Sequence, residues 1–129
     1  MTAELTTLIL AALLLIVQML PVALLGRAQV PPDWHVSPRD EPVTLSGRAG
    51  RAQRAFQNHF EGLVLFAIAC LTLTLADKTT GLTASLAWIY LAARVLYVPA
   101  YIYGLSPWRS LVWAAGFLAT LAILILALI

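Results

Sequence analysis

Arg51, Arg54, Asn58 and Glu61 recur at spacings of three, four and three residues. That spacing puts all four on one stripe of a single α-helix. The stripe runs straight into the apolar stretch that follows Gly62, so its inner end enters hydrocarbon. A second stripe, Arg94, Tyr97 and Tyr101, has spacings of three and four, with Tyr103 and Arg109 beyond it. Ionisable groups at membrane depth are costly and persist where they face a bundle interior, a partner or a wet cavity. Two chemistries remain open on these residues: an ion-pair network that holds helices together, or the wall of a polar binding site.

Arg94 lies too deep to reach water and needs a carboxylate. Glu61 is the acidic residue at comparable depth, so a structural Glu61–Arg94 pair is expected, with a cost of about 3–5 kcal/mol for removing one partner. The remaining cations outnumber the acids. Arg54 and Arg109 suit a small anionic ligand, with Asn58, Tyr97 and Tyr101 as neutral donors and acceptors. Arg48 and Arg51 suit either such a ligand or lipid phosphate.

Other chemistries lack their residues. Cys70 is the one cysteine and sits in an apolar run, which leaves no disulfide framework and reads as a small packing group. His35 and His59 have no partner at metal-ligand spacing, so no metal site is expected. No glycine-rich phosphate loop, nucleophile elbow or nucleic-acid module is present.

The elements that must position the stripes are membrane spans. The chain has 129 residues, 61% hydrophobic and 11% charged, with a net charge of +2. Its mean hydropathy is +0.88. Apolar runs of about twenty residues cross roughly 30 Å of hydrocarbon. Four are expected in one domain over residues 1–129: spans at about 5–25, 50–76, 82–103 and 108–129. This is an all-α, integral membrane four-helix bundle. Pro21 should kink the first span.

Arg27–Gly47, with Pro31, Pro32, Pro38 and Pro42, reads as a loop with no room for a helix. Asp77–Gly81 reads as a tight turn. Ser106 is expected as the N-cap of the last helix, with Pro107 at its first position. A cleaved leader is not expected, since no basic residue precedes the first apolar run. Arg27, Arg39, Arg48, Arg51, Arg54 and Arg109 all fall on one side of this layout, against Lys78 on the other. The basic side is therefore expected in the cytoplasm and both termini opposite it.

The segment Arg54-Ala-Phe-Gln-Asn58-His-Phe-Glu61, before an apolar run, resembles the Arg-x-x-x-Asn-x-x-Glu signature of the MAPEG superfamily. These are membrane-associated proteins in eicosanoid and glutathione metabolism. AARVLYVPAYIYGLSPWRSLVW is similar to that family's junction between third and fourth helices. RDEP in the loop and GRAGRAQRA before the asparagine look most like the bacterial branch, which implies a bacterial inner membrane. The resemblance implies a homotrimer that binds glutathione between neighbouring subunits near the cytoplasmic side.

Residue by residue, the resemblance makes Arg54, Asn58 and Glu61 glutathione-site residues, with Tyr97 and Tyr101 lining the same site. Arg51 is an adjacent candidate, and Arg27 matches a second arginine of the leukotriene synthases less closely. Arg109 matches the arginine that hydrogen-bonds the glutathione sulfur, the catalytic role. Gly62 stands where leukotriene synthases have tyrosine, and Tyr97 where some members have histidine.

The function implied is a glutathione-dependent transferase or peroxidase, with glutathione as co-substrate and no metal. Its second substrate would be a hydrophobic electrophile or lipid hydroperoxide reached through membrane lipids. The alternative is a non-enzymatic lipid- or partner-binding protein on the same trimeric scaffold. A small multidrug transporter fits less well, because its membrane-embedded glutamate would fall where the first span offers Gln18.

Overall fold

The first helix begins where Thr2 turns its hydroxyl back to accept from the Leu5 amide at 3.3 Å, and α1 then runs over Ala3–Gly26. A computed structural model describes residues 1–129. It contains three further long helices: α2 (Gly47–Leu75), α3 (Gly81–Ile102) and α4 (Trp108–Leu128). All four are long and apolar enough to cross a membrane. The structure has no strands, and the fold is a membrane four-helix bundle.

At 29 residues, α2 exceeds what about 30 Å of hydrocarbon requires. Its surplus turns lie at the N-terminal end and carry Arg48, Arg51 and Arg54. α1 continues through Pro21 as one helix.

Chain chemistry sets the connections. The Arg27–Gly47 segment holds no α-helix, but Arg27–Gln29 and Trp34–Val36 each form one 3₁₀ turn. α2 ends with the amides of Asp77 and Lys78 bonded back to the carbonyls of Thr74 and Leu73. Thr80 then starts α3 with a capping box, in which the Thr80 and Thr83 side chains satisfy each other's amides.

α3 closes through Gly104, whose φ of +65° is the left-handed conformation that glycine adopts freely. The Leu105 amide reaches the Ala100 carbonyl at 2.8 Å and the Gly104 amide reaches Tyr101 at 3.0 Å. α4 starts one residue later than its sequence suggests. Pro107, not Ser106, is the N-cap, and its carbonyl accepts from the amides of Ser110 and Leu111. Ser106 makes no capping bond, so Trp108 and Arg109 form the first turn.

The helices pack with α2 and α3 against each other, and each of these two touches both α1 and α4. α1 and α4 do not meet. The α2–α3 pair thus forms a central layer with α1 on one side and α4 on the other. The core is built largely of small side chains, with Ala11, Ala69, Cys70, Ala87 and Ala119 around Phe66, Leu73, Tyr90 and Ile123. Small residues let helix backbones approach where no water drives them together. Phe66 stacks on Tyr90 with ring centroids 3.7 Å apart.

Two buried polar contacts tie α1 to this layer. Gln18 pairs with His59 of α2, and the Glu4 carboxylate accepts from the Thr83 hydroxyl of α3. Lys78 reaches the Ala127 carbonyl at 3.2 Å, so the start of α1, the α2–α3 turn and the end of α4 share one end of the bundle. The long loop and the α3–α4 turn occupy the other end.

Candidate anion site between α2, α3 and α4

Asn58 lies at the junction of three adjoining cavities of about 180, 370 and 270 Å³. Their walls come from one face each of three helices. α2 supplies Arg54, Asn58 and Glu61, spaced by four and three residues. α3 supplies Tyr90, Arg94, Tyr97 and Tyr101, and α4 supplies Arg109, Trp113, Phe117 and Thr120. Each set follows the helical period, so each face points into the same space.

The cations are arranged on aromatic faces. The Arg54 Nε donates to the Tyr101 hydroxyl at 3.1 Å, and its guanidinium carbon lies 5.8 Å from the ring centroid. Arg109 lies 4.8 Å from the same ring. Tyr101 meets Tyr97 edge to face at 5.5 Å, and Arg94 lies 5.2 Å from the Tyr97 ring. Such contacts hold a guanidinium in place at about 0.5–2 kcal/mol each without neutralising its charge.

Arg94 corrects one expectation. Its Nη1 donates to Asn58 Oδ1 at 2.9 Å and its Nη2 to the Asn58 carbonyl at 3.1 Å. Glu61, one turn further along α2, is exposed and does not pair with it. The route of Arg94 explains the choice. Its guanidinium crosses α2 directly over Gly62, where even a Cβ would collide with Nη2. With that gap open, the fork lands on Asn58. Only 5% of Arg94 is exposed, so the charge is held by a neutral side chain and a backbone carbonyl.

The structure thus brings together Arg54, Asn58, Glu61, Arg94, Tyr97, Tyr101 and Arg109 around adjoining cavities. Arg51 stands apart. Its Nε bonds the Ile102 carbonyl at 2.8 Å, which fastens α2 to the end of α3. Arg48 stacks on Tyr103 at 5.3 Å. Arg27 belongs to a different cavity, beside α1 and the long loop.

Sequence reasoning passed over Gln57, Tyr90, Ser110, Trp113, Phe117 and Thr120. The signal was available for most of them. Tyr90 extends the Arg94 stripe by one turn, while Trp113, Phe117 and Thr120 continue from Arg109 at helical spacing. No group of histidine, cysteine, aspartate or glutamate is placed to hold a metal ion.

The MAPEG family model matches residues 3–129, essentially the whole chain. The chain belongs to the MAPEG family. No curated protein matches it. Membership places this four-helix chain among membrane proteins that include glutathione transferases and peroxidases. The face of α2 that carries the family's Arg-x-x-x-Asn-x-x-Glu pattern is the face turned to the Asn58 cavities.

Proposed function

We propose that this MAPEG chain binds glutathione at the Asn58 cavities and activates its thiol for reaction with a lipid-soluble substrate. One observation carries the reading. Arg54 and Arg109 line one of the adjoining cavities and Arg94 lines the next, and no ion pair of 4.0 Å or less neutralises any of them. Glutathione offers carboxylates for such cations and a sulfur that becomes anionic. Arg54, Asn58 and Tyr101 hold its peptide part, and Glu61 at the exposed rim accepts from its ammonium group.

Arg109 is assigned to the sulfur. A thiol with pKa near about 8.5 is mostly protonated at neutral pH, and the thiolate is the nucleophile. A guanidinium beside the sulfur favours the anion, and each pKa unit gained corresponds to about 1.36 kcal/mol. Arg109 sits in the first turn of α4, where the helix N-terminus also favours negative charge.

In a transferase reaction, the thiolate lone pair forms the S–C bond and the displaced electron pair leaves with the leaving group. In a peroxidase reaction, it attacks the terminal oxygen of a lipid hydroperoxide and the O–O bond breaks. The alcohol departs after taking a proton, and a second glutathione reduces the sulfenic acid to disulfide and water. The scaffold is assigned as a homotrimer in a bacterial inner membrane, with this site on the cytoplasmic side.

The test is Arg109→Ala. Glutathione should still bind, while the ultraviolet absorbance of bound thiolate at pH 7 falls about eight- to twenty-five-fold, as for a thiol returning to about 8.5 from one or two pKa units lower. Arg109→Lys should restore little, because it lacks the planar fork. Unchanged thiolate absorbance in Arg109→Ala would end the assignment. Thiolate formation without turnover of chloronitrobenzene or cumene hydroperoxide would favour the non-enzymatic alternative.

A further inference from the structure

Asn58 is the one residue that lines all three adjoining cavities, and it is the only asparagine of the chain. Its side-chain amide has two unlike ends: an oxygen that accepts hydrogen bonds and a nitrogen that donates two. The end that faces the cavities decides what this position recognises.

Arg94 makes that choice. A guanidinium only donates, so the end of the amide it grips is the oxygen. Nη1 meets Asn58 Oδ1 at 2.9 Å, and Nη2 meets the Asn58 main-chain carbonyl at 3.1 Å. The second bond ties the guanidinium to the backbone of the same residue whose side chain it orients. Turning the amide over would set donor against donor and lose a bond from a charged group. Gly62 leaves the opening through which Arg94 arrives, and Arg94 is buried there.

Asn58 itself is half-buried, and its side chain bonds within the chain through Oδ1 alone. The two N–H bonds of Nδ2 are therefore left for an occupant of the cavities. Arg54 stands one turn away on the same face and is likewise a donor only. Two such groups side by side call for an acceptor that carries negative charge and several lone pairs.

We infer that Arg94 is a positioning residue, which holds the Asn58 amide so that both its N–H bonds serve a carboxylate of the thiol peptide. The inference rests on the glutathione reading and adds the group that Asn58 holds and the residue that aims it. An amide whose oxygen already accepts from a cation is also the stronger donor at its nitrogen. Arg94 thus acts on the carboxylate through Asn58, in addition to the attraction of its own charge.

The test uses the full chain in micelles with asparagine isotopically labelled, so that one pair of side-chain amide signals reports on Asn58. S-methylglutathione is the probe, because it keeps both carboxylates and has no thiol to ionise. Both amide proton signals should move downfield as it saturates. Esterifying the glycine carboxylate and the γ-glutamyl carboxylate in turn should abolish the shift in one case, which identifies the carboxylate held there. A shift that survives both esters overturns the inference, and so does bound peptide that leaves the signals in place.

Calorimetry with the same probe isolates the part played by Arg94. Asn58→Ala should weaken binding about tenfold, as for one hydrogen bond to a charged group. In an Arg94→Met background the amide is free to turn, and the same change should weaken binding by less than about threefold. An equal loss in both backgrounds means that Arg94 attracts by charge alone, which overturns the positioning role. Asn58→Asp keeps a partner for Arg94 but offers only oxygens to the cavities, so it should bind more weakly than Asn58→Ala. Tighter binding by Asn58→Asp would make position 58 an acceptor and overturn the inference even where Arg94→Met does not fold. Unmoved Asn58 signals beside intact thiolate formation by glutathione would refute this inference alone. Absence of binding by both peptides would refute the glutathione reading and this inference with it.

Discussion

Gly62→Ala puts two known effects against each other at one position. In a helix interior, alanine is better than glycine by about 1 kcal/mol. Against this gain stands the guanidinium of Arg94, which occupies the place a Cβ would take. The end of an arginine side chain is ordinarily free to step aside. Here it is 5% exposed and fixed by bonds of 2.9 and 3.1 Å to Asn58. A hydrogen bond from a charged donor contributes about 1.5–3 kcal/mol. Losing one of the two therefore outweighs the helix gain and leaves the variant about 0.5–2 kcal/mol less stable.

The assay is reversible unfolding in mixed micelles, with midpoint and slope compared across five proteins. Gly62→Ala should lower the midpoint. In an Arg94→Met background the obstruction is gone, so the same change should be neutral or stabilising by up to about 1 kcal/mol. Gly116→Ala is the control, because a Cβ there meets Ala93 at an ordinary 3.4 Å. The reasoning fails if Gly62→Ala is as stable as the parent with Arg94 in place, or if the two backgrounds respond alike.

Other outcomes follow from the same contacts. Asn58→Ala should destabilise by about 1.5–3 kcal/mol through loss of the side-chain bond to Arg94, while Glu61→Gln, exposed in the subunit, should cost under about 1 kcal/mol. The reverse order in the same unfolding assay would restore Glu61 as the partner of Arg94. Thr80→Ala removes half of the α3 capping box and should cost about 0.5–2 kcal/mol in thermal unfolding. Single cysteines at Thr2 and Ser46 should react with impermeant maleimide from opposite faces of the membrane, and labelling from one face would refute the arrangement of the spans.

The helical period made much of the site legible in the sequence. Arg54, Asn58 and Glu61 share a face because of their spacing, and so do Arg94, Tyr97 and Tyr101, whatever lies opposite. Periodicity is silent on how far one helix slides along another. Asn58 and Glu61 are one turn apart on the same stripe, so spacing alone does not decide which stands at the level of Arg94. The deciding residue is Gly62, whose contribution is the absence of a side chain, and an absence carries no hydrophobic or polar signal. The same limit hid the Gln18–His59 and Glu4–Thr83 contacts. Each joins separate helices, and each polar residue alone reads as an isolated cost. α4 begins after Pro107, whose carbonyl accepts the first amides, and Ser106 makes no capping bond.

In the proposed function, depth favours a small anion over a lipid headgroup at the Asn58 cavities. Arg109 is exposed in the first turn of α4, within reach of phosphates at the membrane surface. Arg94 is two turns inward from Tyr101 along α3 and nearly covered, so a headgroup that neutralised Arg109 would leave Arg94 with only Asn58. Uncompensated like charges in a partly dehydrated space repel one another, and Tyr97 and Tyr101 hold the guanidinium groups in position without removing that repulsion. On the proposed reading the occupant is an anion small enough to leave the surface and long enough to meet more than one of these cations. A flexible peptide with separated carboxylates and a sulfur satisfies both conditions, and an inorganic phosphate satisfies only the first. The thiolate chemistry assigned to Arg109 therefore rests on the spread of positive charge over three helices more than on any one arginine.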